Sequence, residues 1–498
     1  MKTDPPAFRR RPPRPAACLA AVAVLLGACV SSPPATPPME TAAPQWSAAL
    51  PHGGRSEALS DWWRQFDDPE LAALIDAAQS AHPSLTQAAA RIRQARAQAR
   101  AAGAASWPAL DARAGVTRSS TELPPQPGVQ TSGSASLDAL WEIDLFGVTR
   151  HTAAAARARA AGSEAAWHEA RVSLAAEVAN VYVALRACEA GVAVLEQDAQ
   201  SLREAARLTR QKVEAGFEAP ANGSLAQASA AESASRLAAQ QADCEVLVKQ
   251  LVALTVLPEP ALRERLAAGR GRLPTPAQFE VEAVPARVLR QRPDLAAAES
   301  ELAAAASEVG AAQADRYPRL SLSGSIGRAG VRVGGETVDG RTWSIGPSLV
   351  LPLFDAGRRG AAVDAARGRY DEAVAAWQER ALSAVREVEE ALVRLDAAQR
   401  READAAQAAQ GYAEFLRAAQ TQYRVGTGSL LDLEQARRQA LAADAALIQV
   451  KRERVAAWLA LYKAVGGGWQ RAEAEQAGAA AATVSASASA PPQAPATR

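Results

Sequence analysis

The chain of 498 residues carries 55 basic and 54 acidic residues, a balance that excludes the electrostatic footprint of a nucleic-acid-binding protein. Apolar residues make up 48%, too many for a disordered chain, while aromatics make up only 5% and alanine dominates, which suits long, closely packed helices better than a β-sandwich. Four cysteines exclude a disulfide-stapled scaffold, and four histidines (His52, His82, His151 and His168) leave little for a histidine-based metal site.

Residues 1–28 read as an address. Lys2, Arg9, Arg10, Arg11 and Arg14 precede an apolar stretch, Ala16 to Leu26, too short to span a bilayer. It ends in Leu26-Gly27-Ala28-Cys29, which resembles a bacterial lipobox, whose cysteine thiol accepts diacylglycerol. The expectation is a covalent N-acyl diacylglycerol lipid on Cys29, with no other cofactor and no metal. A plain secretory signal with an incidental cysteine is the alternative. Lipoproteins kept at the inner membrane often carry Asp after the cysteine; Val30 here points to the outer membrane. Residues 29–60 read as a lipid-anchored N-terminal tether, and residues 470–498 as a disordered low-complexity tail.

Between these ends the chain repeats itself at one shift of 210. His82-Pro83-Ser84-Leu85 matches Arg292-Pro293-Asp294-Leu295, and Trp107-Pro108 matches Tyr317-Pro318. Gly147 matches Gly357, Trp167 matches Trp377, Glu177 matches Glu387, and Gly216 matches Gly426. The expected domains are a first repeat over 61–257, a linker or equatorial segment over 258–291 and a second repeat over 292–469.

Each repeat reads helix, strand, strand, long helix, helix. In the first, 84–106 is predicted as an alanine-rich helical run, stopped by Trp107-Pro108 because proline disfavours helix before it, and with the residues from 71 it forms the N-terminal helix 71–106. Residues 110–117 and 134–143 alternate, with Leu110, Ala112, Ala114 and Val116, then Leu137, Ala139, Trp141 and Ile143, on one face. In the second, Leu320, Leu322 and Ile326, then Trp343, Ile345, Leu349 and Leu351, do the same. Segments of about ten residues with this alternation are the signature of a transmembrane β-strand. A half-buried soluble hairpin is the alternative. Residues 151–215 and 358–424 contain no proline and are predicted as helices of about 100 Å. Segments 224–257 and 292–316 are about half as long and stack into one composite column; 430–465 and 71–106 make another.

Four strands cannot close a membrane barrel, which starts at about eight. An open sheet in lipid leaves edge N–H and C=O groups unsatisfied, at several kcal/mol each. The chain is therefore expected to combine with copies of itself; two, three or four copies all satisfy the argument.

Further runs carry a resemblance. They are Phe66-Asp67-Asp68-Pro69-Glu70-Leu71, Trp141-Glu142-Ile143-Asp144-Leu145-Phe146-Gly147, Gln291-Arg292-Pro293-Asp294-Leu295, Leu353-Phe354-Asp355-Ala356-Gly357-Arg358 and Gly466-Gly467-Gly468-Trp469. With the lipobox, the chain over roughly 60–470 resembles the TolC-like outer membrane efflux family, in its NodT-type lipoprotein branch serving RND pumps. The resemblance implies a mainly α fold with a membrane β-barrel, assembled as a homotrimer with twelve strands and a periplasmic tunnel of twelve helical columns. It implies an exit duct of a tripartite efflux pump, passively conducting small molecules. The partners it implies are a periplasmic membrane-fusion adaptor, an inner-membrane RND transporter and outer membrane lipid. The expected location is the outer membrane, lipid-anchored, with a large periplasmic portion.

No catalytic motif is present (no H-E-x-x-H, G-x-S-x-G or P-loop), so an enzyme is not expected. Helical charges read as solvated faces. Gly216 and Gly426 read as helix stops, and Ser429 or Asp432 as a cap for the returning helix. The resemblance adds a role: the adaptor meets the tips at Gly216, Val425, Gly426 and Thr427. Relatives gate the mouth with a leucine ring and an acidic ring. Leu431 matches the leucine and Gln435 stands where the acid is expected, so either Asp432 or Glu434 takes that role or the mouth lacks the charge ring; Leu431 with Asp432 is taken to line the constriction. Cys188 and Cys244 fall nearly level on the two arms of the first hairpin, so a disulfide is expected in the oxidising periplasm, two free thiols being the alternative. A protein-secretion duct and a lipid-anchored coiled-coil scaffold that opens no pore are the competing functions.

Overall fold

The computed structural model describes Phe66 and residues 68–121, 128–274 and 291–469. The signal segment, Cys29, the tether, part of the 258–291 linker and the tail from residue 470 lie outside the described residues.

In chain order the elements are α1 (Pro69–Ala81), α2 (Pro83–Ala104), β1 (Ala109–Thr121), β2 (Gly128–Ile143), α3 (Val148–Glu214), α4 (Pro220–Thr255) and α5 (Glu259–Ala267). Then follow α6 (Pro293–Ala314), β3 (Arg319–Val333), β4 (Glu336–Val350), α7 (Arg358–Arg424) and α8 (Leu430–Ala464). The starts of α2 and α6, α3 and α7, and α4 and α8 each differ by the shift of 210 found in the sequence.

The N-terminal helix predicted over 71–106 is two helices. Pro83 has no N–H to continue α1, and the residue before a proline is pushed to extended backbone. His82 adopts φ −67 and ψ 131, ending α1, and Pro83 takes the first position of α2. Within the 258–291 segment α5 buries Leu262 and Leu266.

The described residues fall into two compact units. The first holds Arg93–Gly162 and Glu299–Ala376, and with them all four strands. These form one antiparallel sheet in the order β1-β2-β3-β4. The strands have 13, 16, 15 and 15 residues, longer than the apolar alternation alone indicates. Register puts the expected apolar residues on one face. Leu110, Ala139, Gly324 and Ile345 form one row across the sheet, and Ala112, Leu137, Ile326 and Trp343 the next. Leu110, Ile326, Trp343 and Ile345 are exposed.

The second unit holds the described residues of Pro38–Ile92, Ser163–Ala298 and Trp377–Arg498. Its core joins Leu71, Leu74 and Ile75 of α1 to Val178, Tyr182 and Leu185 of α3, with Leu251, Leu262, Leu392, Trp458 and Leu461 from later helices. Two buried arginines tie loops to it. Arg186 is fully buried and donates to the carbonyls of Leu266 and Ala268, 2.8 Å each. Arg292 donates to the Ala464 carbonyl, Asp294 and Glu387, each at 2.8 Å. The triple glycine that closes this unit has a steric reason. A Cβ at Gly466 collides with the Gln291 carbonyl and one at Gly467 with Val172, and both residues have positive φ, where glycine alone is unstrained.

Candidate functional site

Two places concentrate features that no packing argument requires: the helical hairpin tips of the second unit and the sheet of the first.

Both tips use one turn. In the first, Gly216 at φ +76 follows α3, and the Phe217 N–H donates to the Lys212 carbonyl at 2.8 Å. In the second, Gly426 at φ +81 follows α7, and the Thr427 N–H donates to the Gln422 carbonyl at 3.0 Å. This six-to-one bond around a left-handed glycine is a Schellman motif, which satisfies carbonyls that the helix end leaves open. The entries into the returning helices differ. Ala219 supplies no side-chain cap, and Pro220 opens α4. Ser429 and Asp432 form a reciprocal capping box on α8: Ser429 Oγ accepts from the Asp432 N–H at 3.1 Å, and the Asp432 carboxylate accepts from the Ser429 N–H at 3.3 Å.

The residues singled out from the sequence sit at these tips. Val425 and Leu431 are exposed at 67% and 61%, while Leu430 turns inward onto Ala206 and Ala226. Asp432 is exposed, with its carboxylate engaged in the cap. Gln435 is exposed one turn beyond Leu431. Lys212 of the first hairpin lies over the Tyr423 ring of the second, 5.1 Å from its centroid. Further up the first hairpin, Cys188 and Cys244 are joined as a disulfide, their Cα atoms 5.7 Å apart.

Glu434, the other candidate for the acidic ring, is instead buried in a charge network that sequence reasoning missed. Asp198 of α3 and Glu434 and Arg437 of α8 are all buried. Arg437 donates to Glu434 at 2.9 Å and to Ser201 Oγ at 3.2 Å, and approaches Asp198 at 3.7 Å. Ser233 of α4 donates to Asp198 at 2.6 Å. The network therefore joins both arms of the first hairpin to the returning arm of the second. Burial pushes the Glu434 carboxyl above its ordinary value; Arg437 opposes this and Asp198 adds to it. The i,i+3 spacing of Glu434 and Arg437 was visible in the sequence, but it reads equally well as a solvated pair.

On the sheet, the face opposite the apolar one is polar. Asp111 lies directly across from Asp138, and Arg113 Nε lies 3.6 Å from the Asp138 carboxylate. Ser136 donates to Asp138 at 3.0 Å, while Ser325 and Ser344 continue the same row. Among the described residues the sheet is open, since β1 and β4 each have one strand neighbour. No cluster of metal-ligating side chains is found among the described residues.

This arrangement has known relatives. The chain is 32% identical to outer membrane protein OprJ of Pseudomonas aeruginosa, covering 90% of this chain and 95% of that protein. It is 28% identical to nodulation protein T of Rhizobium leguminosarum bv. trifolii, covering 90% and 96%. The solved structure of the outer-membrane channel OprN superposes with a TM-score of 0.79 at 30% identity, covering 89% of this chain and all of that one. The outer membrane efflux protein family matches residues 74–255 and 284–467, one stretch in each half. An alternating sheet, two glycine-ended hairpins and this match over most of the sequence lead to one conclusion: the chain belongs to the outer membrane efflux protein family.

Proposed function

We propose that this chain is the exit duct of a tripartite RND-type pump, working as a homotrimer that passively conducts small molecules across the outer membrane. One observation carries the reading: a four-stranded sheet with an apolar and a polar face and both edge strands unpaired within the chain. Such a sheet is stable in lipid only when copies close it. Three copies give twelve strands with the apolar face to lipid and the Asp111–Asp138 face to a water-filled lumen. The two repeats then supply twelve helical columns to a periplasmic tunnel.

Cys29 carries the lipid that holds the N-terminus at the membrane. The tips at Gly216, Val425, Gly426 and Thr427 receive the hairpin of a periplasmic adaptor, which links the duct to an inner-membrane transporter. Leu431 lines the closed mouth together with Asp432; the exposure of Leu431 supports this, and the capping bonds of Asp432 fix where its charge sits. The Cys188–Cys244 bond forms in the oxidising periplasm, and peptide mapping without reductant tests it: unmodified thiols at both positions would refute it.

Purified full-length protein in mild detergent is expected to run as a trimer and to give discrete conductance in planar bilayers. Leu431→Ala is expected to raise the open fraction. A monomer that leaves the bilayer silent excludes the duct, and an unchanged closed state in Leu431→Ala removes that residue from the mouth.

A further inference from the structure

The apolar face of the sheet changes character towards the β1–β2 and β3–β4 turns. Along β3 the alternate positions run Leu320, Leu322, Gly324 and Ile326, then Arg328, Gly330 and Arg332. Along β4 the same face runs Leu349, Pro347, Ile345 and Trp343, then Arg341 and Asp339. Arg328 and Arg341 are direct cross-strand partners, one alternate row beyond Ile326 and Trp343. On β1, Arg118 shares a row with Thr131 and Arg332. All four arginines are exposed.

Like charges directly opposite one another destabilise a sheet, and a cation beside an apolar band needs a headgroup or counter-charge within reach. Asp339 answers one of the four, its Oδ2 lying 2.6 Å from Arg328 Nη2. Arg118, Arg332 and Arg341 have no ion-pair partner among the described residues. Among the described residues, four cations stand against one carboxylate on the face that otherwise carries Leu, Ile and Trp, and form an anion-seeking rim.

We propose that Arg118, Arg328, Arg332 and Arg341 bind the phosphate groups of outer-leaflet lipid headgroups. This rests on reading the sheet as a barrel wall with its apolar face in lipid. The strand turns then lie outermost, because the helices leave from the opposite ends of the strands. Trp343 sits just inside the arginine pair, where an aromatic ring marks the membrane interface. Arg118 and Arg332 are two strand spacings apart, about 10 Å, with Thr131 between them. Guanidinium groups at that separation match two phosphates on one headgroup, each held by paired N–H donors. The favoured partner is a bis-phosphorylated glycolipid, not a zwitterionic phospholipid.

Native mass spectrometry of the full-length trimer in detergent tests this with bis-phosphorylated lipid A, the same lipid dephosphorylated, and phosphatidylcholine. Wild type is expected to retain the phosphorylated lipid and release the other two. The double variant R328Q/R341Q is expected to lose about tenfold in retention. R113Q, on the polar face, is expected to retain it as wild type does. Equal retention of phosphorylated and dephosphorylated lipid by wild type overturns the proposal even where the double variant does not fold. So does equal retention by R328Q/R341Q, or an equal loss in R113Q. Conductance of the same wild-type sample separates the two ideas: a conducting trimer with no phosphate preference removes only the lipid assignment, whereas a silent sample removes the duct reading beneath it.

Discussion

In the first helical hairpin Cys188 and Cys244 join α3 to α4 through a covalent bond. At the shift of 210, the second hairpin has Ala398 and Arg454 in their places. There Arg454 of α8 donates to Glu402 of α7 at 2.8 Å, both side chains a quarter exposed, and Arg401 donates to Glu453 at 2.8 Å beside it. The two hairpins share helix lengths and the glycine turn, yet one is cross-linked and the other is held by partly solvated ion pairs. A covalent bond fixes the offset of two helices; an exposed ion pair releases them for about 1 kcal/mol or less. A separate tie joins the two hairpins, where Arg437 of α8 approaches Asp198 of α3 at 3.7 Å. The second hairpin thus keeps the helix lengths and the turn of the first without its covalent bond.

The largest expected effect is on the cross-link. Its sequence separation is 56 residues, and Cys188→Ser is expected to cost about 4 kcal/mol in unfolding experiments through the freed loop. Arg437→Ala follows, at about 3 kcal/mol, because Asp198 and Glu434 are left buried without their cation. It is also expected to raise conductance, since the tie between hairpins is cut; a loss of stability with unchanged conductance would make the network purely structural. Ser429→Ala removes the α8 cap and is expected to cost about 1 kcal/mol, read as earlier melting. Arg454→Ala is expected to cost less than that. Should Arg454→Ala match Cys188→Ser, the contrast between the hairpins fails.

Acidity sharpens the comparison further. Glu434 titrates above the ordinary glutamate value in the folded chain because burial penalises its charge. The stability this group contributes is fully present below its unfolded-state pKa and is lost as pH rises through the raised folded value. Glu434→Gln is neutral throughout, so its melting temperature is expected to vary less than wild type across that acid window. Identical profiles would place the pH dependence elsewhere.

The glycine stops at Gly216 and Gly426 and the strand alternation were legible because each depends on local chemistry: a left-handed turn, or a period of two. Pro83 was legible too, yet the amphipathic residues either side of it read as one helix, and the break is set by the missing N–H. Asp198, Glu434 and Arg437 were hidden because burial is decided by helices distant in sequence. The outer arginines were hidden for another reason. Arg328 and Arg332 keep the parity of Leu320 and Leu322, but only the full strand length and the register reveal that Arg328 meets Arg341 and that Arg332 shares a row with Arg118.

The open edges of β1 and β4 have a genetic consequence. A copy with a spoiled edge withholds hydrogen bonds from a sound neighbour, so the harm spreads beyond the allele that carries it. For the homotrimer proposed above, equal expression of sound and damaged subunits is expected to leave only about one randomly mixed threesome in eight wholly sound. Under that assembly, lesions in these two strands are expected to act dominantly when co-expressed with the sound protein, whereas loss of the whole gene product is expected to be recessive.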